Sequence, residues 1–200
     1  MGAWFSEHGY LVGVFFLVLI VFIVVLNKAA KAYSKHFNTV GEQKKQLEYM
    51  TNLKNKYRNI TVEELENCSD SEILEGFALL TQIEMQKSDD MEAYFSTLPM
   101  IKKYIYVLDV FTQDESAETF FSQNGEILTD IIVDAVKEIG MNEFANELSA
   151  IAKMHNKDDE SVSFSKLTIE IFDENLNKNG VLNDIKVNSA KYIKENFNLL

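Results

Sequence analysis

From Tyr10 to Leu26 the chain reads YLVGVFFLVLIVFIVVL, seventeen residues with neither a charge nor an amide. As a helix rising 1.5 Å per residue the run covers roughly 26 Å, at the short end of what crosses a hydrocarbon core of ~30 Å. Trp4, Phe5 and the stem of Lys28 can make up the difference. A buried core helix rarely carries Phe, Val and Ile on every face, so the run reads as a transmembrane helix. Ala30-Lys31-Ala32 supplies an A-x-A triplet of the kind cleaved behind a signal peptide, yet no Lys or Arg precedes the run, only Glu7 and His8. Lys28, Lys31 and Lys35 follow it, then Lys44 and Lys45. By the positive-inside rule residues 1–9 lie outside and the bulk of the chain in the cytoplasm, as a single-pass protein of the cell (inner) membrane. Lys28, Lys31 and Lys35 are then expected at the anionic headgroups, and residues 10–35 as the lipid contact.

Charge divides the chain a second time. Residues 1–60 carry eight Lys/Arg and three acids, whereas residues 61–200 carry eleven lysines and twenty-eight acids, a net −17 within an overall −12. Such a balance excludes direct, nonspecific nucleic-acid binding by the whole chain, because phosphates demand cations. The single cysteine, Cys68, rules out an internal disulfide and a cysteine-based zinc site. The expected organisation is a short outer tail (1–9), a transmembrane helix (10–26), a basic juxtamembrane helix or linker (27–60) and an acidic domain (61–200).

Helical signals dominate the remainder, and the fold class expected is all-α, a helical bundle-like cytoplasmic domain behind one membrane helix. Phe37, Val40, Leu47, Met50, Leu53, Tyr57 and Ile60 recur at spacings of three, four and seven, better suited to core packing than to a coiled coil because Lys44 interrupts the stripe. Thr61 with Glu64, and Ser69 with Glu72, are spaced as capping boxes. Behind the second, Ile73, Leu74, Phe77, Leu80 and Ile83 line one face, and Ser88-Asp89-Asp90 ends that helix or caps the next. Pro99 opens a helix bearing Ile101, Tyr104, Ile105, Leu108 and Phe111, which polar residues 112–118 break. Ile127, Leu128, Ile131, Ile132, Ala135, Val136 and Ile139 form a wide stripe closed by Gly140, and Asn142 then caps a partner helix with Phe144, Ala145, Leu148, Ile151 and Ala152. Segment 161–172 alternates as a strand would, but no partner strand is evident, and Phe164, Leu167, Ile171 and Phe172 fit a helix.

Catalytic signatures are missing. The three histidines stand far apart at 8, 36 and 155, and no H-E-x-x-H, G-x-S-x-G, G-x-G-x-x-G or P-loop sequence occurs, so no catalytic residue, metal or cofactor is expected. Asn175-Leu-Asn177-Lys-Asn179-Gly180 echoes half of a calcium loop, but Lys186 stands where the chelating glutamate belongs, and the stretch reads as a polar loop. Acids cluster at Glu63-Glu64-Glu66, Asp89-Asp90, Asp114-Glu115-Glu118 and Asp158-Asp159-Glu160. Helix starts account for many of them, yet −17 over the last 140 residues exceeds what capping and solubility require. A rigid array of carboxylates can imitate phosphates and occupy a nucleic-acid-binding surface.

Leu98-Pro99, Tyr104-Ile-Tyr106-Val-Leu108, Phe120-Phe121-Ser-Gln-Asn124-Gly125 and Glu138-Ile139-Gly140 with Ala145 resemble, in order and spacing, a bacterial DNA-mimic protein family whose shared domain is helical and acidic. The resemblance covers roughly residues 70–175. Where that family runs Glu, apolar, Asn-Asn-Gly-Gly-Phe, two residues, Phe-Phe, this chain has Phe111 to Phe121 with the glutamate, both glycines and the first Phe replaced. The resemblance implies an acidic surface that occupies DNA-binding proteins, in some members as a dimer. The leading expectation is therefore a membrane-anchored, non-enzymatic interaction domain that binds a basic DNA-binding protein through Asp114, Glu115, Glu118 and Glu126, with Phe120 and Phe121 in the core. A membrane-associated hydrolase with a carboxylate-lined pocket is the rival, and a structural subunit of a membrane complex the third reading. Gly9 and Gly13 supply one G-x-x-x-G, the spacing of a helix homodimer contact.

Overall fold

The computed structural model describes residues 42–124, 126–155 and 162–200. The expected membrane helix over 10–26, Lys28, Lys31, Lys35 and the Gly9/Gly13 pair lie outside the described residues. Among those described no helix is long and apolar enough to cross a membrane. The chain divides into two compact units, Met1–Thr51 and Asn52–Leu200. Residues 42–57 are helical (α1), with the boundary between the units inside that helix, and Leu47 and Tyr49 on its first part are exposed.

The second unit is all-helical in its described residues. After α1 come α2 (Val62–Leu65), α3 (Asp70–Met85), α4 (Met91–Thr97), α5 (Met100–Asp114), α6 (Ala117–Gln123), α7 (Glu126–Glu138), α8 (Asn142–His155), α9 (Val162–Lys178), α10 (Val181–Glu195) and a final 3-10 turn (Phe197–Leu199). Helices α3, α5 and α10 pack on one another and form the centre. Their facing stripes are Ile73, Leu74 and Ala78, then Ile105, Leu108 and Phe111, then Ile185, Ala190 and Ile193, all buried. Fully burying each of the Ile, Leu and Phe side chains of this three-helix seam contributes ~1.5–3 kcal/mol. Helix α7 lies against α5 and pairs with α8, while α6 and α9 close the remaining side.

Local signals explain most boundaries. Thr61 and Glu64 form the full capping box, each side chain reaching the other's backbone N–H. At Ser69 half the box forms: its hydroxyl accepts from the Glu72 N–H, but the Glu72 carboxylate takes Lys56 of α1 instead. Asp90 caps α4 through the Ala93 N–H. Gly140 ends α7 at φ +87°, with its own N–H on the Lys137 carbonyl and that of Met141 on Val136, the paired bonds of a Schellman motif. The hairpin this creates is the one the sequence announces, although Asn142 is the first residue of α8 rather than its cap.

Two further expectations need correction. Residues 175–178 belong to the last turn of α9 and not to a loop; the chain turns only at Gly180, in the left-handed region at φ +71°. Segment 161–172 is helical from Val162 as expected, but its inner face differs. Ile169 and Leu176 are buried and Phe172 stacks on Phe144 at 5.7 Å, whereas Leu167 and Ile171 stay exposed. The apolar residues of α9 are spread round the helix, and packing against α6, α8 and α10 selects which face turns in.

Residues 52–60 are integral to this core. Leu53, Tyr57 and Ile60 are buried, and the Tyr57 ring meets Phe77 edge-on at 5.4 Å between centroids. The ring also lies directly against Gly76 of α3, where a Cβ would clash with the ring carbons. A glycine in mid-helix costs about 0.5–1 kcal/mol; here it lets an aromatic ring sit against the helix backbone.

Candidate acidic interaction surface

The turn between α5 and α6 collects three of the four acids singled out above. Asp114 ends α5 half-buried, and its carboxylate accepts from the Asn124 side-chain amide at 2.8 Å. Glu115 follows in the left-handed region, φ 55°, with its side chain exposed. Ser116 then caps α6 by accepting from the Thr119 N–H at 3.1 Å. Opposite the turn stands α9. Asp173 accepts from the Ser116 hydroxyl and the Ala117 N–H, both at 2.7 Å, and Asn177 donates to the Glu115 carbonyl at 3.2 Å. The free N–H groups at the start of a helix attract negative charge, and a carboxylate from a distant helix supplies it. Glu118 is exposed, and the side chain of Glu126 lies outside the described residues. Phe120 and Phe121 are buried as expected, with Phe120 edge-on to Phe111 at 5.3 Å. Of the chosen acids, Glu115 and Glu118 face solvent here, and Asp114 serves the turn.

A second acidic feature lies outside those clusters. On α7 the residues Asp130, Asp134 and Glu138 recur every fourth position and are all exposed. The helix rise places successive members about 6 Å apart along one face, and Glu126 continues the same register. Lys137 stands 3.6 Å from Asp134, an exposed and screened pairing. Two half-buried phenols flank the far end of the row: burial first, then Asp134 and Glu138, hold the Tyr104 hydroxyl above its ordinary range, and burial with Glu138 and Tyr104 does so for Tyr192. Runs of adjacent acids stand out in a sequence, whereas this period of four is interleaved with the apolar residues of the same helix.

One acid is strongly perturbed. Burial pushes the Asp109 carboxyl up to about 7, Glu75 adds to the effect, and Lys186 and the Gln113 amide, 2.7 Å away, oppose it. A hydrolytic site would place such a group in a cleft with a second carboxylate. The larger cavity, about 690 Å³ between α1, α3, α5 and the C-terminal turn, holds Glu84 alone; the smaller, about 440 Å³ and lined by Met85, Phe95, Tyr106 and Leu128, holds Glu92 alone. Asp109 lines neither. Among the described residues no group of three or more His, Cys, Asp or Glu is placed to hold a metal ion. No family model, curated protein or solved structure matches this chain.

Proposed function

We propose that this protein is a non-enzymatic interaction domain, tethered to the membrane through residues 10–26, that binds a basic, nucleic-acid-binding protein on its acidic surface. The observation that carries the reading is the row Asp130, Asp134 and Glu138 on α7, exposed at one-turn intervals beside Tyr104 and Tyr192. Carboxylates at fixed spacing on a rigid helix offer Lys and Arg side chains the charge pattern of a phosphate backbone, and phenol faces add stacking for guanidinium groups. Glu115 and Glu118 extend the same chemistry at the α5–α6 turn. Against a pocket hydrolase stands Asp109: among the described residues it is the acid pushed up to about 7, and it lines neither of the two cavities described above.

The test is retention of cellular proteins on the immobilised full chain, beside a variant carrying Asp130→Asn, Asp134→Asn and Glu138→Gln. A nucleic-acid-binding protein held at low salt, released by high salt or by duplex DNA, and lost with the triple variant is the expected result. Retention of the same protein in high salt and by both chains would sink the electrostatic mechanism.

A further inference from the structure

The cavity between α1, α3, α5 and the C-terminal turn has a composition at odds with the unit around it. Acids outnumber lysines and arginines twenty-eight to fourteen over residues 52–200, yet this cavity carries Lys54, Arg58, Lys87 and Lys102 against one acidic side chain, Glu84. Glu84 is already taken, with both its oxygens within 3.0 Å of the Lys102 amine. Lys54, Arg58 and Lys87 make no ion pair among the described residues. Lys54 and Arg58 stand one helical turn apart at the end of α1, where the Arg58 N–H bonds the Lys54 carbonyl at 3.1 Å. Beneath them the wall is apolar: Phe77, Leu80, Ile83, Ile105 and Phe197 line it. The volume of about 690 Å³ falls within the ~300–1,000 Å³ typical of small-molecule sites. At roughly 30 Å³ per group the size of a water molecule, it takes on the order of twenty such groups, the scale of one acyl chain.

We propose that this cavity binds a long-chain fatty-acid anion, its tail against Phe77, Leu80 and Phe197 and its carboxylate between Lys54 and Arg58. A small hydrophilic anion would leave the apolar wall wet, and an uncharged hydrocarbon would make no use of the unpaired cations. A guanidinium one turn from an ammonium is suited to a carboxylate, which Arg grips with two parallel hydrogen bonds. The site is independent of the acidic face on α7 and stands or falls separately from it.

The test uses the full chain in zwitterionic phosphatidylcholine nanodiscs, photolabelled with a diazirine-bearing palmitate, and maps the labelled peptides. Labelling is expected on the peptides holding Phe77, Leu80 and Phe197, competed by unlabelled palmitate. It should fall at least tenfold in the double variant Lys54→Glu with Arg58→Glu. Leu80→Trp, which fills the cavity and leaves the charges in place, should reduce it as far, with circular dichroism confirming that both variants keep their helices. Labelling confined to other peptides, equal labelling by the diazirine-bearing alcohol, or undiminished labelling of the two variants would overturn the proposal.

Discussion

At the scale of single residues, two positions bear more than their size suggests. Gly76 faces the ring of Tyr57 so closely that any side chain collides with it. Gly76→Ala should therefore destabilise the unit by about 1–3 kcal/mol, as overpacking does, even though alanine is the better helix former; urea denaturation checks the sign. Asp109 is perturbed by burial and by Glu75, and its folded-state pKa of about 7 stands well above the ordinary aspartate value of 3.8. The folded chain thus holds this proton more tightly than the unfolded chain. Its contribution is fully present below about pH 4 and is lost as pH rises to about 7. Asp109→Asn, which keeps the site neutral, should match the parent near pH 4 and exceed it by about 2–4 kcal/mol at pH 8. Denaturation curves at the two pH values test this, and a difference independent of pH would refute the assignment.

At the scale of elements, the legible features were those whose cause is local in sequence. The Thr61–Glu64 box, the Asp90 cap and the Gly140 stop each depend on residues within five positions of one another, and the α7–α8 hairpin follows from an apolar stripe with a glycine behind it. What could not be read depends on partners far along the chain. Glu72 leaves its capping box for Lys56, sixteen residues away. The start of α6 is held by Asp173, fifty-six residues beyond Ala117. Asp114 reads as free surface charge for a similar reason, since Asn124, ten residues on, becomes its partner only after folding. Asp173→Ala should remove the external cap and cost about 1–2 kcal/mol. Hydrogen exchange offers a local readout: the Ala117 and Glu118 amides, which donate to Asp173, should lose protection more than those of α3 or α10, and a uniform loss would count against the capping role.

At the scale of the whole molecule, apolar periodicity and caps point to helices and the charge balance to an acidic surface, but neither marks where the compact unit starts. Leu53, Tyr57 and Ile60 are buried in the same body as α3 and the C-terminal turn, where Phe197 meets Phe77 edge-on at 6.1 Å. A chain begun at residue 61 should lose its cooperative thermal transition, whereas one begun at residue 42 should keep it; calorimetry distinguishes the two. Charge polarity at this scale has the same root. The basic residues Lys54 and Arg58 are attached to the acidic unit through α1, so one body presents a cationic cavity at that helix and a row of carboxylates on α7.

The ring of Tyr57 seated on Gly76 also constrains how the sequence can drift. Neither position can change freely alone: a side chain at 76 has room only when residue 57 is smaller, and a smaller residue 57 leaves a void that a side chain at 76 would partly fill. The two substitutions should thus be strongly non-additive, with the penalty of Gly76→Ala largely erased in a Tyr57→Leu background. Where natural variants of this chain carry a side chain at 76, the aromatic ring at 57 should be gone, so two positions nineteen apart would be inherited as a pair.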